Sequence, residues 1–325
     1  MAGITDSAFR RICKEYGADV TYSEMASASA LFFRPQKTLD LVRFGKYERP
    51  YVVQLFGKNP EHFAKAAQII TRKIKPDGID INFGCPAKKV FGNGSGCALM
   101  PQKELAREII LAVCENTNLP VSLKIRAGIK NHTAVDFIKD IKDLPFSAVM
   151  IHGRTYEGSF AGPVDFKIVE KIKRIIPDKI VLANGGINTA EDAVKILKKH
   201  PLLDGLGIAR GAWGKPYIFA EIKDLLQNPS LLEKERCPTR TVRYDFKQIK
   251  KIMLCHAKLI WKDKKKLGVF EIRKHLAWYV KGFSGAAGLR RQLVQAQSIA
   301  EIKEILSKLL NKNSALRNTK LQIEA

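Results

Sequence analysis

Short apolar runs in the first part of the chain repeatedly end in residues that can do chemistry. The runs lie at residues 20–23, 51–55, 78–83, 121–125, 148–152, 180–184 and 205–209. At or just after their ends stand polar or glycine-rich groups, namely Gln54, Asn82, Cys85, Lys124, Arg126, His152, Arg154, Asn184, Gly185, Gly186, Ala209 and Arg210. Amide, ammonium, guanidinium and imidazole groups bind anions and polar rings, and a thiol can give up a proton. We expect these residues to form one site.

Helical segments with apolar residues at i, i+3 and i+4 alternate with these runs, which predicts strands joined by helices. The predicted helices lie near Asp6–Tyr16, Pro60–Ile74, Lys103–Glu115, Ala134–Leu144, Asp165–Ile176, Ala190–Lys199 and Tyr217–Leu226. Strict alternation of this kind is typical of a doubly wound sheet or a closed barrel. Seven strands can be recognised, and Met1-Ala2-Gly3 has the pattern of the end of an eighth. This number favours an α/β fold with a (β/α)₈ TIM barrel whose first strand is truncated. The C-terminal ends of barrel strands meet on one face, which is where catalytic residues gather.

Two glycine-rich turns after the last two runs predict a phosphate site. Gly185 and Gly186 follow one run, and Arg210 with Gly211 follows the other. Loops at these places in a barrel commonly bind phosphate through backbone N–H groups, although ordinary left-handed turns also use glycine. A phosphate here, with Lys124 and Gln54 on earlier strands, suits flavin mononucleotide (FMN) lying across the barrel mouth. Lys124 would neutralise an anionic reduced ring, and Gln54 would hydrogen-bond its pyrimidine edge.

Cys85 directly follows its strand and is fixed by Pro86. An unperturbed thiol is mostly protonated at neutral pH, so it can act as a proton donor. A buried inert thiol is the alternative, but the position beside Asn82 at a strand end favours the donor. The segment from Phe91 to Cys97 lacks the spacing of a P-loop or a Rossmann turn and predicts a flexible loop over the mouth. The six cysteines contain no Cys-x-x-Cys pair and no histidine cluster at zinc spacing, so no metal site is predicted.

The charge balance points to a polyanionic partner. Lys and Arg number 56 against 32 Asp and Glu, a formal net charge of +24, and residues 232–325 alone carry 22 basic and 8 acidic side chains. Such a charge attracts RNA, DNA or an anionic membrane surface, and a merely solvated helical face remains the alternative. No apolar run approaches the roughly 20 residues of a membrane span, and the N-terminal residues do not have the pattern of a signal peptide. We expect a cytoplasmic protein that does not bind membranes.

The chain divides by composition into three parts. Residues 1–230 are the predicted FMN-binding barrel, and a polar, proline-containing segment at residues 227–241 suits a linker. Residues 242–311 have helical periodicity only, which predicts a small basic helical bundle. Residues 312–325 are polar and are expected to be disordered.

Several ordered blocks resemble the tRNA-dihydrouridine synthase family from residue 1 to about 310. The run DINFGCPAKKV at residues 80–90 carries the likeness most strongly. It is supported by MAGITD at the start, LKIR at 123–126, IHGRT at 151–155, ANGG at 183–186, IARGAWGKP at 208–216 and IRKHLAWY at 272–279. The last block resembles the tRNA-binding bundle of the bacterial members.

The resemblance implies an FMN enzyme, reduced by NADPH (or NADH), that saturates the C5–C6 bond of tRNA uridines. It implies that Cys85 protonates C5 while reduced FMN delivers hydride to C6. FMN contacts fall on Met1, Ala2, Gln54, Lys124, His152, Asn184, Gly186, Ala209 and Arg210, and we add Gly185 from the phosphate-site pattern. Asn82 and Arg126 would face the uracil, with Arg154 nearby. tRNA is the expected partner, and no stable protein partner is predicted.

Two other functions remain open at this point. One is an FMN barrel acting on a free pyrimidine, as dihydroorotate or dihydropyrimidine dehydrogenases do, but a small substrate gives no reason for the basic C-terminal segment. The other is a non-catalytic RNA-binding barrel, against which the presence of Cys85, Lys124 and His152 argues.

Overall fold

The computed structural model describes residues 1–228, 244–283 and 285–308. The chain packs as two compact units. The barrel unit comprises Met1–Gly211 and Ile218–Gln227, and the helical unit comprises Ala212–Tyr217 and the described part of Asn228–Ala325. The predicted boundaries at 1–230 and 242–311 stay predictions, since residues 229–243 and 309–325, with the predicted tail 312–325, lie outside the described residues.

The barrel unit is built on seven parallel strands and one short antiparallel strand. Strands β1 to β8 span Thr21–Ser27, Tyr51–Phe56, Gly78–Asn82, Val121–Ile129, His132–Thr133, Ala148–Thr155, Ile180–Asn184 and Gly205–Gly207. The parallel strands follow the order β1-β2-β3-β4-β6-β7-β8, and β5 pairs with the end of β4. The predicted α/β barrel architecture is confirmed, with β1 and β8 as the outer strands of the sheet in the described residues.

Helices connect successive parallel strands and pack on the outside of the sheet. In the barrel unit, α1 to α10 span Ser7–Glu15, Ala28–Phe33, Gln36–Leu41, Pro60–Ile69, Lys88–Gly92, Lys103–Cys114, Ala134–Ile141, Phe166–Ile175, Ala190–Lys199 and Ile218–Gln227. The apolar faces of the strands and helices form one core, in which Phe63, Ile81 and Phe137 are fully buried. Burial of these apolar faces, not helix propensity, is what stabilises elements this short.

Two helix starts agree with their sequence signals. Asn59 accepts from the backbone of Glu61 and His62 and is followed by Pro60 in the first turn of α4. Thr189 and Asp192 form a capping box at the start of α9. Each satisfies backbone N–H groups that the first turn of a helix leaves without a partner. These caps fix where the loops after β2 and β7 end.

The register of the sheet aligns the polar positions in rows. Gln54 pairs with Asp80, which pairs with Ser122. Two residues further along the strands, Asn82 is opposite Lys124. The third row runs along Arg126, His152, Asn184 and Gly207. Because side chains alternate between the two faces of a strand, residues two apart project to the same side and the three rows form adjacent layers.

Some local structure differs from the sequence expectations. Residues 1–4 form a turn in which the Met1 carbonyl accepts from Ile4 and Thr5, so they are not the end of a strand. Helices α2, α3 and α5 were not predicted, because five or six residues are too few to show a helical period. The segment predicted as a flexible loop ends in a 3₁₀ turn, Gly96–Leu99, with Cys97 fully buried.

The helical unit contains a helical hairpin. Phe246–Tyr279 (α11) consists of two helices joined at Lys265, whose φ of 51° breaks the helix. A Cβ on Gly268 would lie 2.5 Å from the Ile260 carbonyl oxygen, so the two arms approach closely there. Ala286–Leu293 (α12) and helical residues 299–308 follow. Within the described residues, no helix has both the length and the apolar character that a bilayer crossing requires.

Residues 212–217 belong to the helical unit although they continue the chain directly from the last strand of the sheet. The Trp213 ring stacks on that of Trp278 at 4.4 Å and 12°, and the Tyr217 ring stacks on that of Tyr244 at 4.3 Å. Gly214 has a φ of +68°, and a Cβ there would lie 2.4 Å from the carbonyl carbon of Trp278. Only glycine permits this backbone to lie so close to the end of α11.

Candidate active site

A neutral imidazole lies in a strongly positive environment at the C-terminal end of β6. His152 is 9% exposed. Burial, followed by the charges of Lys124, Arg126, Arg154 and Arg210, lowers the pKa of His152 to about 3. Four cations therefore act on one uncharged ring. Such a cluster favours an anionic ligand, because the positive potentials add while no proton on His152 competes.

Lys124 is the most unusual of these cations. Its side chain is partly buried, and its ammonium forms no hydrogen bond or ion pair with any other residue that the structure describes. Burial lowers the pKa of Lys124 to about 8, although the charge of Asp80 opposes the shift. Burial likewise raises the pKa of Asp80 to about 6, opposed by its hydrogen bonds from Ser122 and Gln54 and by the charge of Lys124. An ammonium held in this way is available to a ligand.

The turn after β7 can exist only with glycine. Gly185 has a φ of +107°, and a Cβ there would lie 2.3 Å from His152 Cδ2 and 2.7 Å from His152 Nε2. Gly186 follows with a φ of +71° and is exposed. In the turn after β8, a Cβ on Gly211 would lie 2.2 Å from the Ile187 carbonyl oxygen, so the two turns touch. Together they offer exposed backbone beside His152 and Arg210, which suits a phosphate.

The Cys85 loop is held from both sides. The Asn82 side-chain oxygen accepts from the backbone N–H groups of Gly84 at 3.1 Å and Cys85 at 2.9 Å. From the other side, the Cys85 carbonyl accepts from Cys97 N–H at 3.2 Å, and a Cβ on Gly96 would lie 2.9 Å from that carbonyl oxygen. Cys85 itself is a partly exposed free thiol. The buried residues around the loop therefore fix its backbone while the thiol keeps access to solvent.

Comparison with known proteins gives a consistent result. A family model described as "Dihydrouridine synthase (Dus)" matches residues 1–315. The chain belongs to the dihydrouridine synthase family. A "Probable tRNA-dihydrouridine synthase 1" of Synechocystis sp. is 31% identical over 96% of this chain and 85% of the relative. A "tRNA-dihydrouridine synthase B" of Pseudomonas aeruginosa is 34% identical over 91% of this chain and 87% of the relative.

Likeness to solved structures is weaker. The crystal structure of DHODH in complex with ferulenol from Eimeria tenella matches with a TM-score of 0.42 and 16% identity. The match covers 58% of this chain and 60% of that one.

In this dihydrouridine synthase family member, most of the predicted site residues lie at one end of the sheet. Asn184 is 8% exposed and donates to the Gly207 carbonyl at 2.6 Å, which joins β7 to β8 below the glycine turns. Ala209 is partly exposed and precedes the exposed Arg210. Met1 and Ala2 lie in the N-terminal turn, where Met1 forms hydrogen bonds with Ile4 and Thr5. Their assignment as cofactor contacts stays a prediction.

Arg126 and Arg154 support loops in addition to providing charge. Arg126 is 1% exposed and donates to the carbonyls of Gly84, Thr155 and Ser159 at 3.0, 2.8 and 2.8 Å. Arg154 donates to the Gly162 carbonyl and lies 3.4 Å from His152 Nε2. Burial lowers the pKa of both guanidinium groups. Contact of either residue with the substrate stays a prediction, whereas their contacts with the loop backbone are present in this structure.

Two features of the site were not predicted from the sequence. Asp80, fully buried in β3, lies one layer below the strand ends and accepts from Gln54, a predicted site residue, and from Ser122. Phe160 is 52% exposed, and the guanidinium carbons of Arg126 and Arg210 lie 5.4 and 4.9 Å from its ring centroid. The signal for Asp80 was present, because a charged residue within an apolar strand, two positions before Asn82, must project to the same side of the sheet. Phe160 lies in a loop and had no such periodicity.

A further basic surface lies in the helical unit. We use the name basic turn for residues 261–270, at the junction of the two arms of α11. Lys262, Lys265 and Lys266 are exposed there, beside Trp261 and Phe270, which are 41% and 42% exposed. Exposed aromatic rings interspersed with lysines are typical of nucleic-acid-binding surfaces.

The charged state of Lys124 should reduce stability in the absence of ligand. Its pKa in the folded chain lies below the ordinary value of 10.5, so the folded state binds the proton less well than the unfolded state. The destabilisation is complete below about pH 8 and disappears above the ordinary pKa; a shift of this size corresponds to up to about 3 kcal/mol. We expect Lys124→Met to raise the free energy of unfolding by about 1–2 kcal/mol at neutral pH, and less at higher pH. Urea unfolding of the ligand-free protein, from neutral pH to above the ordinary lysine pKa, measures this change in the free energy of unfolding.

Lys179→Met is the matched control. The Lys179 ammonium donates to the carbonyls of Leu144 and Phe146 at 3.2 and 2.9 Å and lies 4.5 Å from the centre of the Phe146 ring. Its removal should therefore lower stability. If Lys124→Met destabilised the chain as much as Lys179→Met does, Lys124 would be an ordinary structural lysine.

Proposed function

We propose that this chain is a tRNA-dihydrouridine synthase, which reduces the C5–C6 double bond of uridines in tRNA to give 5,6-dihydrouridine. In this proposal FMN is the bound cofactor and NADPH (or NADH) the reductant. The observation that carries it is the position of Lys124, whose ammonium makes no hydrogen bond or ion pair with the described residues. Lys124 belongs to a cluster of cations around a neutral His152, beside two glycine turns. Family membership supports flavin chemistry at that site.

The residues present fit a flavin nucleotide. The glycine turns after β7 and β8, with Arg210, would hold its phosphate, because exposed backbone N–H groups and a guanidinium both bind anions. Lys124 would lie against the ring and stabilise negative charge on it. Gln54 donates one side-chain N–H to Asp80 and accepts from Asn82, which leaves it a second N–H and a second lone pair for the pyrimidine edge of the ring. The reduced flavin would supply the hydride equivalent that adds to C6.

Cys85 would supply the proton. Reduction of the double bond needs a proton at C5, and the Cys85 thiol is partly exposed on a loop that is fixed by Asn82 and Cys97. When the thiol S–H bond breaks, the new C5–H bond forms, and the resulting thiolate recovers a proton from solvent. Rigid placement matters because proton transfer requires the donor within hydrogen-bond distance of its acceptor.

The basic turn would bind the polyanionic part of the substrate. A uridine stacked within folded RNA cannot enter the site, so it must be flipped out at a cost of a few kcal/mol. Contacts between lysines and phosphates offset that cost without reading sequence. A cytoplasmic location is part of the proposal, and the free thiols of Cys13, Cys85, Cys97 and Cys114 support it.

The test uses the full-length chain, purified with its flavin and incubated with NADPH. The substrate is tRNA from a strain that lacks dihydrouridine synthases, and nucleoside mass spectrometry measures the gain of two hydrogens per reduced uridine. Free uracil and dihydroorotate are assayed in parallel. Dihydrouridine in tRNA without turnover of the free pyrimidines supports the proposal. Turnover of a free pyrimidine alone would instead identify a small-molecule dehydrogenase, and absence of bound flavin and of both activities would leave only an RNA-binding barrel.

A further inference from the structure

A continuous chain of hydrogen bonds links a buried carboxylate to the Cys85 loop. One oxygen of Asp80, which is fully buried, accepts from the Gln54 amide nitrogen at 2.7 Å. The Gln54 amide oxygen accepts from the Asn82 amide nitrogen at 3.0 Å. The Asn82 oxygen then accepts from the backbone N–H groups of Gly84 and Cys85. The other oxygen of Asp80 accepts from the Ser122 hydroxyl at 2.6 Å.

The chemistry of the groups at its two ends determines which way the hydrogen bonds in this series are donated. An ionised carboxylate only accepts hydrogen bonds, so the amide of Gln54 must turn its nitrogen toward Asp80 and its oxygen away. A backbone N–H group only donates, so Asn82 must turn its oxygen toward Gly84 and Cys85. Each amide has one orientation that satisfies both neighbours. A reversal at the Asp80 end would bring two donors together at the loop, and a reversal at the loop end would bring two acceptors together at Asp80.

We propose that Asp80 is a positioning residue that holds the Cys85 loop in place by fixing the orientation of the Gln54 and Asn82 amides. The effect of Asp80 on the position of the loop follows from these hydrogen bonds alone. The consequence for the rate of uridine reduction rests on the proposed function. The residue type is informative. Asparagine has nearly the same shape and avoids the burial of a charge, but it can present a donor where aspartate can only accept.

Two features make the loop responsive to this control. Asn82 is 5% exposed, so solvent has little access to satisfy its amide in another orientation. Its nitrogen also lies 3.1 Å from Met25 Sδ, a weak acceptor, so both N–H groups are used in the present orientation. A flipped Asn82 would place an NH₂ group against the N–H groups of Gly84 and Cys85 and release that part of the loop.

The decisive variant is Asp80→Asn. When the Ser122 hydroxyl keeps donating to the asparagine oxygen, the asparagine nitrogen faces Gln54 and both amides must flip. Asp80→Leu covers the case in which Ser122 accepts instead, because it leaves the Gln54 nitrogen no acceptor at position 80. We expect hydrogen exchange at the amides of Gly84 and Cys85, measured by NMR in ligand-free protein, to become at least about tenfold faster. The amide of Phe83, which donates to the Lys124 carbonyl at 2.8 Å, reports on the strand itself and should keep its protection.

Two further variants separate positioning from general damage. Ser122→Ala removes a hydrogen bond that the same carboxylate accepts, but it leaves the orientation of the Gln54 and Asn82 amides unchanged. Hydrogen exchange at Gly84 and Cys85 should therefore stay near the wild-type rate. The double variant Asp80→Asn with Gln54→Glu moves the carboxylate from position 80 to position 54, next to Asn82. Asn82 can then keep its original orientation. It should restore slow exchange at both amides.

The outcomes are distinct. Fast exchange in Asp80→Asn alone, with restoration in the double variant, supports the proposal. Unchanged exchange in both Asp80→Asn and Asp80→Leu, equal acceleration at Phe83, or no restoration in the double variant would overturn it. Dihydrouridine formation by Asp80→Asn is measured alongside, with a fall in kcat and little change in KM for tRNA expected. An inactive wild-type chain would contradict the proposed function while leaving the exchange result intact.

Discussion

Cys85→Ala should lower the rate of dihydrouridine formation by a factor of about 10² to 10⁴, the range that a positioned general acid contributes. The substitution removes the proton donor and leaves the backbone contacts of the loop, since Asn82 and Cys97 bind Cys85 through its N–H and C=O groups. Single-turnover reduction of tRNA by the prereduced enzyme measures the chemical step directly. Flavin content, the rate of flavin reduction by NADPH and the tRNA Kd should stay at wild-type values, because none of these requires the thiol.

Cys114→Ala is the matched control for the removal of a thiol. Cys114 is a partly buried free cysteine at the end of α6, on the outside of the sheet, so its replacement should leave single-turnover rates unchanged. Cys85→Ser provides a further comparison, because a hydroxyl is a much weaker acid in the same place. Product formation by Cys85→Ala at the wild-type rate would exclude the thiol as the proton donor and would require another acid at C5.

The positions of the principal site residues could be predicted because they depend on periodicity. Lys124, His152 and Asn184 follow runs of apolar residues that form strands, and parallel strands bring their ends to one edge. The structure places these three residues in neighbouring rows of the same sheet. Strand boundaries were less accurate where the chain continues in extended form, since β4 runs on to Ile129 and pairs with β5 in a local hairpin. Nothing in the apolar pattern marks such an extension.

Roles that depend on distant partners were not predictable. That Arg126 faces the substrate stays a prediction, but its bonds to carbonyls up to 42 residues away, at Gly84, Thr155 and Ser159, could not be predicted. The same limit applies to Asp80, because an aspartate within a strand can equally be a catalytic acid, a metal ligand or a hydrogen-bond acceptor. Its connection to Gln54 becomes visible only when strand register is known. Sequence periodicity therefore indicates which side chains share a face, and tertiary structure decides which of them hold the others.

The basic turn carries the second large prediction. Replacing Lys262, Lys265 and Lys266 with alanine should raise the tRNA Kd about ten- to a hundredfold at moderate salt. The three ammonium groups are exposed, and no ion pair within the described residues involves them, so they are free to neutralise phosphates. For each phosphate that the variant no longer neutralises, the slope of log Kd against log salt concentration should fall by about 0.7 to 0.9. Binding titrations at several salt concentrations measure both quantities.

A matched triple variant separates a specific surface from net charge. Lys195, Lys198 and Lys199 are exposed on α9 of the barrel unit, and their replacement by alanine removes the same charge. If the basic turn contacts phosphates directly, this control should change Kd weakly and leave the salt slope almost intact, because only the general attraction is reduced. Equal effects of the two variants would mean that tRNA responds to the charge of the whole chain. Trp261→Ala then tests the aromatic part of the surface, because stacking on a base depends little on salt and its removal should raise Kd without altering the slope.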